Sequence, residues 1–168
     1  MERNSKDAIE MLKEQHREVE GLFSTYEELG EKAEKRKQAT FEKIADALAM
    51  HATIEEKHFY PAVKAKRTED ILLEALEEHL GIKRVIADLL KIDSSDQTFD
   101  AKVKVLKEQV EHHVEEEESD LFPKAKKVLD KAELTAIGAT MQETMQALLN
   151  KGDARKAVPA ETREARAL

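Results

Sequence analysis

The sequence predicts an all-α fold: an antiparallel up-down four-helix bundle of two helical hairpins, with a short fifth helix. Three observations predict it. The chain has 168 residues but only 5 Gly and 3 Pro, and Ala, Glu, Lys and Leu dominate it. Strong helix formers are therefore plentiful and turn material is scarce. Apolar residues recur at spacings of three and four along four segments, the seam of a helix packed in a bundle. Two of those segments end alike, in HATIEEKHFYP (51–61) and HVEEEESDLFP (113–123), so one unit is written twice.

The first helix spans about Ser5 to Leu29 and stops near Gly30, with Ile9, Leu12, Val19 and Phe23 on its seam. The second covers about Lys35 to Lys64 through Phe41, Ile44, Leu48 and Phe59. The third opens at a Thr68 cap and carries Leu72, Leu76, Ile82, Ile86 and Leu89. The fourth follows the DSSDQT turn with Val103, Leu106, Val110 and Leu121. Pro61 and Pro123 each remove a backbone donor and are expected to kink or end their helices. Asp130 and Glu133 form a capping pair that opens the fifth helix, which continues through Leu134, Ile137, Met141 and Leu148. Residues 1–150 then make one domain, with the bundle over about 5–130 and the fifth helix over about 130–150. Residues 151–168 lack periodicity and read as a frayed, flexible tail.

Composition excludes several function classes. A net charge of −8 argues against nucleic acid as a partner. The absence of Cys removes disulfides, zinc-thiolate sites and iron–sulfur clusters. The start is polar and no apolar run approaches a membrane span, so no membrane partner and a cytoplasmic location are expected.

Six polar residues interrupt the four seams: His16, His51, Glu55, His79, His113 and Glu117. An unpaired polar group in a core costs roughly 2–7 kcal/mol, and an isolated carboxylate more. A domain with about 5–15 kcal/mol of net stability cannot carry six of them uncompensated. They share a height. The midpoint of His16 and His51 falls between Ala33 and Glu34, that of His51 and His79 at Ala65, and that of His79 and His113 at Asp96. All three midpoints lie where composition places a turn, so the four His meet in one layer. Each Glu follows its His by four residues, one turn along the same face. The hairpins also repeat, with His16 to His51 spanning 35 residues and His79 to His113 spanning 34. Two hairpins related by a pseudo-twofold axis, each giving two His and one Glu, can build a dinuclear site.

Imidazole with carboxylate suits iron, manganese or zinc. With both Glu bridging, two six-coordinate ions would offer twelve positions. Four His, two bridging Glu and one bridging oxygen would leave two open, and redox-active iron makes most use of those. This pattern, His16, His51-x3-Glu55, His79 and His113-x3-Glu117, resembles the hemerythrin-like HHE cation-binding domain over about residues 10–125. The resemblance implies a four-helix bundle holding two iron ions (Fe2+/Fe3+) with an oxo or hydroxo bridge. It implies a non-haem di-iron protein that binds and reacts with dioxygen or small oxidants such as peroxide or nitric oxide. Oxygen-carrying hemerythrins have five His and two carboxylates, so the four His here depart from simple carriage. Peroxidase- or catalase-like activity, nitric-oxide handling, reversible oxygen storage, and iron or oxygen sensing through a partner protein all stay open. A ferritin-like site needs Glu-x-x-His on two helices, and only Glu55-x-x-His58 fits.

Other polar residues near the pattern have blander readings. His112 heads a second HxxxE with Glu116 but leaves the seam, so it is expected to face solvent. Glu56 and Glu118 are expected at the surface, and the FYP and LFP aromatics in the core. His58 and its counterpart Asp120 are read on the metal-facing side, at a wetted end, with ligation or proton transfer by His58 as the alternatives. Without metal, protonation of the paired carboxylates is expected to relieve the site at low pH, until the His layer charges.

Overall fold

The computed structural model describes residues 6–65 and 67–168, and among them there are helices and no strand. Asp7 opens α1 (Ala8–Glu27) with a capping box: its carboxylate accepts from the Glu10 N–H at 2.8 Å while Glu10 accepts from the Asp7 N–H. The expected start at Ser5 lies outside the described residues. The next helix runs as α2 (Glu34–Ile54), a π-helical turn (Glu55–Phe59) and α3 (Tyr60–Val63). The fourth segment repeats this after α4 (Glu69–Leu90), as α5 (Phe99–Glu116), a π turn (Glu117–Leu121) and α6 (Phe122–Val128). The prolines therefore do not end their helices. Each sits at the start of the helix that continues beyond a π turn, where the N–H of Tyr60 or Phe122 bonds five residues back, to Glu55 or Glu117. One extra residue per turn rotates everything that follows, which matters at the site below.

Thr68 stands at the head of α4 but does not cap it. Its hydroxyl donates to Val63 O and accepts from the Ala65 N–H, so it fastens the turn instead. Asp130 and Glu133 do form the predicted capping box on α7 (Lys131–Lys151). This last helix packs across α1. Gly138 permits the approach, because a Cβ there would lie 2.9 Å from Ala8 N.

Helix α1 lies along α2, and α4 along α5. Their apolar faces form two separate blocks of core. One contains Ile9, Leu12, Ile54, Phe59, Leu72 and Phe122. The other contains Phe23, Phe41, Ile44, Ile86, Phe99 and Leu106. Truncating a fully buried Phe in either block, such as Phe41 or Phe59, costs about 3–5 kcal/mol. The predicted polar layer divides the two blocks.

The end of the chain departs from the frayed tail expected of it. Gly152 and Asp153 take positive φ and turn the backbone. A 3₁₀ helix, Ala154–Glu161, then packs on α2 and α4. Arg155 donates to Asp46, Lys83 pairs with Glu161, and Arg84 donates to the carbonyls of Thr162 and Arg163. Val158 is the segment's only fully buried side chain. A single apolar anchor leaves no periodic signal, which is why the sequence reads as structureless.

Candidate metal centre

The six seam-breaking residues meet between the core blocks, and all are buried. Glu55 directs Oε1 towards His51 Nε2 (2.6 Å) and Oε2 towards His79 Nε2 (3.1 Å). Glu117 directs Oε2 towards His16 Nε2 (3.2 Å) and Oε1 towards His113 Nε2 (3.5 Å). Each carboxylate thus approaches one His from each pair. His16 and His51 share one group with Glu55 and Glu117, and the ligand atoms of that group lie within 4.8 Å of one another. His79 and His113 share the other with Glu55 on the same criterion, and their Nε2 atoms are 3.1 Å apart.

Four atoms of the first group, His16 Nε2, His51 Nε2, Glu55 Oε1 and Glu117 Oε2, are buried and hydrogen-bond to nothing. Close approach without hydrogen-bond geometry is what donor atoms converging on a cation present. Leaving four such atoms unsatisfied would be costly otherwise.

The outer nitrogens explain the orientation. His16 Nδ1 pairs with Glu118 (2.9 Å), His51 Nδ1 with Gln15 (2.6 Å), His79 Nδ1 with Glu56 (3.0 Å) and His113 Nδ1 with Glu78. An Nδ1–H donated outward leaves the Nε2 lone pair of a neutral imidazole facing inward. The supports obey the duplication. Each hairpin's second Glu (Glu56, Glu118) holds the first His of the other hairpin. The residue before each first His (Gln15, Glu78) holds the second His of its own hairpin. Glu56 and Glu118 are therefore not the surface residues expected. Glu56 is buried, and Lys83 also donates to it at 2.9 Å; Arg17 donates to Glu118 at 2.6 Å. The sequence carried the signal, since Glu-Glu recurs at the fifth and sixth places of both copies.

This layer is a buried cluster of imidazole and carboxylate able to hold metal. The chain matches the hemerythrin HHE cation binding domain over residues 7–125. It belongs to the hemerythrin HHE domain family. A crystal structure of a hemerythrin HHE cation binding domain-containing protein from Mycobacterium kansasii superposes with a TM-score of 0.78, at 26% identity, covering 94% of this chain and 95% of that one. A protein from Nostoc sp. named DNA nickase is 33% identical over 120 residues, 71% of this chain. The chain spans about a third of that relative's length (32%).

The HHE site holds one group that the sequence reading left in the core. Tyr60 follows Glu55 by five residues, one π turn, so its hydroxyl returns to the layer. It lies 2.8 Å from Glu55 Oε2, 2.6 Å from Glu117 Oε1 and 3.2 Å from His79 Nε2. Its one proton serves one of the carboxylates at a time. Phe122 holds the equivalent place after Glu117 and has no hydroxyl. Tyr60 stacks on His79 at 5.4 Å and Phe122 on His16 at 5.9 Å. Only the spacing of five, which a regular α-helix would not bring to one face, could have revealed Tyr60.

The same turn removes His58 from the metal-facing side. Its Nε2 meets Thr144 Oγ1 of α7 at 2.7 Å. Asp120 is exposed and pairs with Lys124. His112 faces solvent beside Glu78 and Glu116, as read.

Without metal, the surroundings of His113 and His79 favour a proton on the imidazole, and those of Glu55 disfavour one on the carboxylate. Burial alone would lower the pKa of His113, but the charge of Glu117 and hydrogen bonds to Glu55 and Glu78 hold it well above the usual value. Burial would likewise lower His79, and its bonds to Glu55 and Glu56 outweigh that. Burial would raise Glu55, yet the charge of His51 and the imidazoles of His113, His51 and His79 turned towards it hold it well below the usual range. At Glu55 these imidazoles oppose protonation of the carboxylate. Burial and the charges of Glu117 and Glu55 push the Tyr60 hydroxyl well up, so it stays protonated.

Proposed function

We propose that this chain is a non-haem di-iron protein that binds and reacts with dioxygen or small oxidants. One iron would lie with His16 and His51, the second with His79 and His113, and Glu55 and Glu117 would bridge them. The observation that carries this reading is the division of each carboxylate between two groups, together with the four unsatisfied inward-facing atoms. The pairing of α1 with α2 and α4 with α5 supports an antiparallel four-helix bundle of two related hairpins as the scaffold.

Iron held in this way would supply one-electron steps and a binding position for a small oxidant. The residues supply the rest. The carboxylates of Glu56, Glu78 and Glu118 keep three imidazoles turned inward and strengthen them as ligands. Tyr60 holds a proton at Oη beside the carboxylates of Glu55 and Glu117, within reach of a reacting oxidant there. That favours reaction over simple carriage. Reversible oxygen binding is the second reading, favoured by the apolar cavity beside the four His. The nickase named above has a length this chain does not span, and a net charge of −8 supports no nucleic-acid partner. Among the described residues no helix is long and apolar enough to cross a membrane.

The deciding experiment is metal analysis of protein from iron-supplied cells, with visible spectra before and after oxygen and peroxide. Two irons per chain and an oxidant-dependent spectrum are expected. One ion or none, in a folded sample, would sink the reading.

A further inference from the structure

A cavity of about 30 Å³ adjoins the four site imidazoles, with Leu48, Ile82 and Val110 among its apolar walls. A cavity of that size has room for a molecule of a few atoms. Val158 lines it too, although that residue comes from the 3₁₀ segment at the far end of the chain. A second, outer groove of about 430 Å³ runs between the end of α7 and the same segment. Ala49 and Val158 line both spaces. Ala49 has almost no side chain to move. Val158 is therefore the partition between the solvent side and the site, and it is 1% exposed.

We infer that Val158, carried by the 3₁₀ segment, is the gate through which small ligands reach the HHE site. It sets the size and polarity of what enters. This rests on the proposed ligand site, because a gate needs something to admit.

The segment makes a single fully buried apolar contact, through Val158, and its other ties are polar: Arg155 to Asp46, the buried Lys83 to Glu161, and Arg84 to two carbonyls. A 3₁₀ helix has poor hydrogen-bond geometry of its own. Gly152 and Asp153, both at positive φ, make the turn that joins it to α7. One tie also reaches the site. Lys83 pairs with Glu161 at 3.1 Å and with Glu56 at 2.9 Å, and Glu56 holds His79 Nδ1. Opening the gate would leave Lys83 wholly to Glu56. The apolar walls disfavour ions and favour an uncharged diatomic, since a charged ligand would shed its water there without replacement.

The test uses the full iron-loaded chain and follows association of nitric oxide, an uncharged diatomic, with the ferrous form, and of azide, an anion, with the ferric form, by stopped-flow absorbance. Val158→Ala widens the partition and Arg155→Ala unties the segment, and neither residue is a proposed ligand. Both should speed nitric-oxide association about tenfold at unchanged iron content, while Val158→Trp slows it. Azide should associate more slowly than nitric oxide in the parent chain, and gain more in the Val158→Ala variant. Nitric-oxide rates within about twofold of the parent in both alanine variants would overturn the gate. Xenon-pressurised crystals of the metal-free Val158→Ala variant give a readout that needs no iron. Xenon between residue 158 and the His layer supports the route, and its absence there overturns it. A chain that binds no iron but takes xenon at that place would overturn the functional reading and leave the route standing.

Discussion

Tyr60 and Phe122 occupy the same place in the two copies of one segment, each five residues after a shared carboxylate, and only Tyr60 reaches those carboxylates. Its hydroxyl lies 2.6 Å from Glu117 Oε1 and 2.8 Å from Glu55 Oε2. Phe122 offers a ring stacked on His16 and nothing more. The two halves of the site are thus alike in their His and Glu and unlike in what stands behind them. The second half also has Glu78 where the first has Gln15, so its His113 leans on a charge and His51 on an amide.

Tyr60→Phe makes the halves match. The variant should keep two metals per chain, because six ligands remain, but its visible spectrum and its reaction with peroxide should change. The metal-free form should lose about 1–3 kcal/mol, the cost of leaving buried acceptors without their donor. Unchanged spectra and oxidant kinetics would remove Tyr60 from the chemistry.

Glu55→Ala and Glu117→Ala should behave alike, because each carboxylate is divided between both His pairs. Each variant should lose both ions, not one. Each should also lose the stabilisation that metal binding adds to the folded state, so that added iron no longer raises the melting temperature. A variant that retains one tightly held ion would show that its carboxylate is not shared.

The supports make a graded test. Glu56→Gln and Glu118→Gln remove a charge behind His79 and His16 while keeping an acceptor oxygen. Metal affinity should fall about 10–100-fold in each, as for other partners that orient metal-ligating His. Competition with a chelator of known affinity measures it. If affinity holds in both, the outer bonds are not what orients the rings.

The fold and the six polar residues were legible because both depend on periodicity. Spacings of three and four placed His16, His51, His79 and His113 on the seams, and turn composition placed them at one height. The places of His58 and Tyr60 were not legible because of one irregularity. A π turn adds a residue after each Glu, which moves His58 towards Thr144 and brings Tyr60 to the layer. An α-helical reading puts His58 in and Tyr60 out. The 3₁₀ segment was missed for another reason: one buried side chain, Val158, has no period.

His58→Ala tests that correction directly. Since His58 meets Thr144 and not the cluster, the variant should bind iron normally and show the parent spectrum. Its stability should fall by about 0.5–1.5 kcal/mol, one net hydrogen bond. Purification without iron would instead place His58 among the ligands.

The pH dependence separates the metal-free protein from the loaded one. In the metal-free chain His113 is held well above 6.5, its usual value, through Glu117, Glu55 and Glu78 acting against burial. A group whose folded pKa is raised contributes stability that is complete below its unfolded pKa and is lost as pH rises through the folded one. Glu55 is held well below 4.5, so its contribution is present above that value and lost as pH falls through its folded pKa. The metal-free protein should therefore be most stable between about pH 4.5 and 6.5 and weaken on going to alkaline pH. Iron reverses the slope, because it needs His113 neutral and is displaced by protons. The loaded protein should gain stability from pH 5 towards 8 and release iron in acid. Denaturant midpoints of both forms over this range measure the two slopes. His113→Gln should flatten the metal-free slope, and parallel slopes for the two forms would show that protons and iron do not compete for these imidazoles.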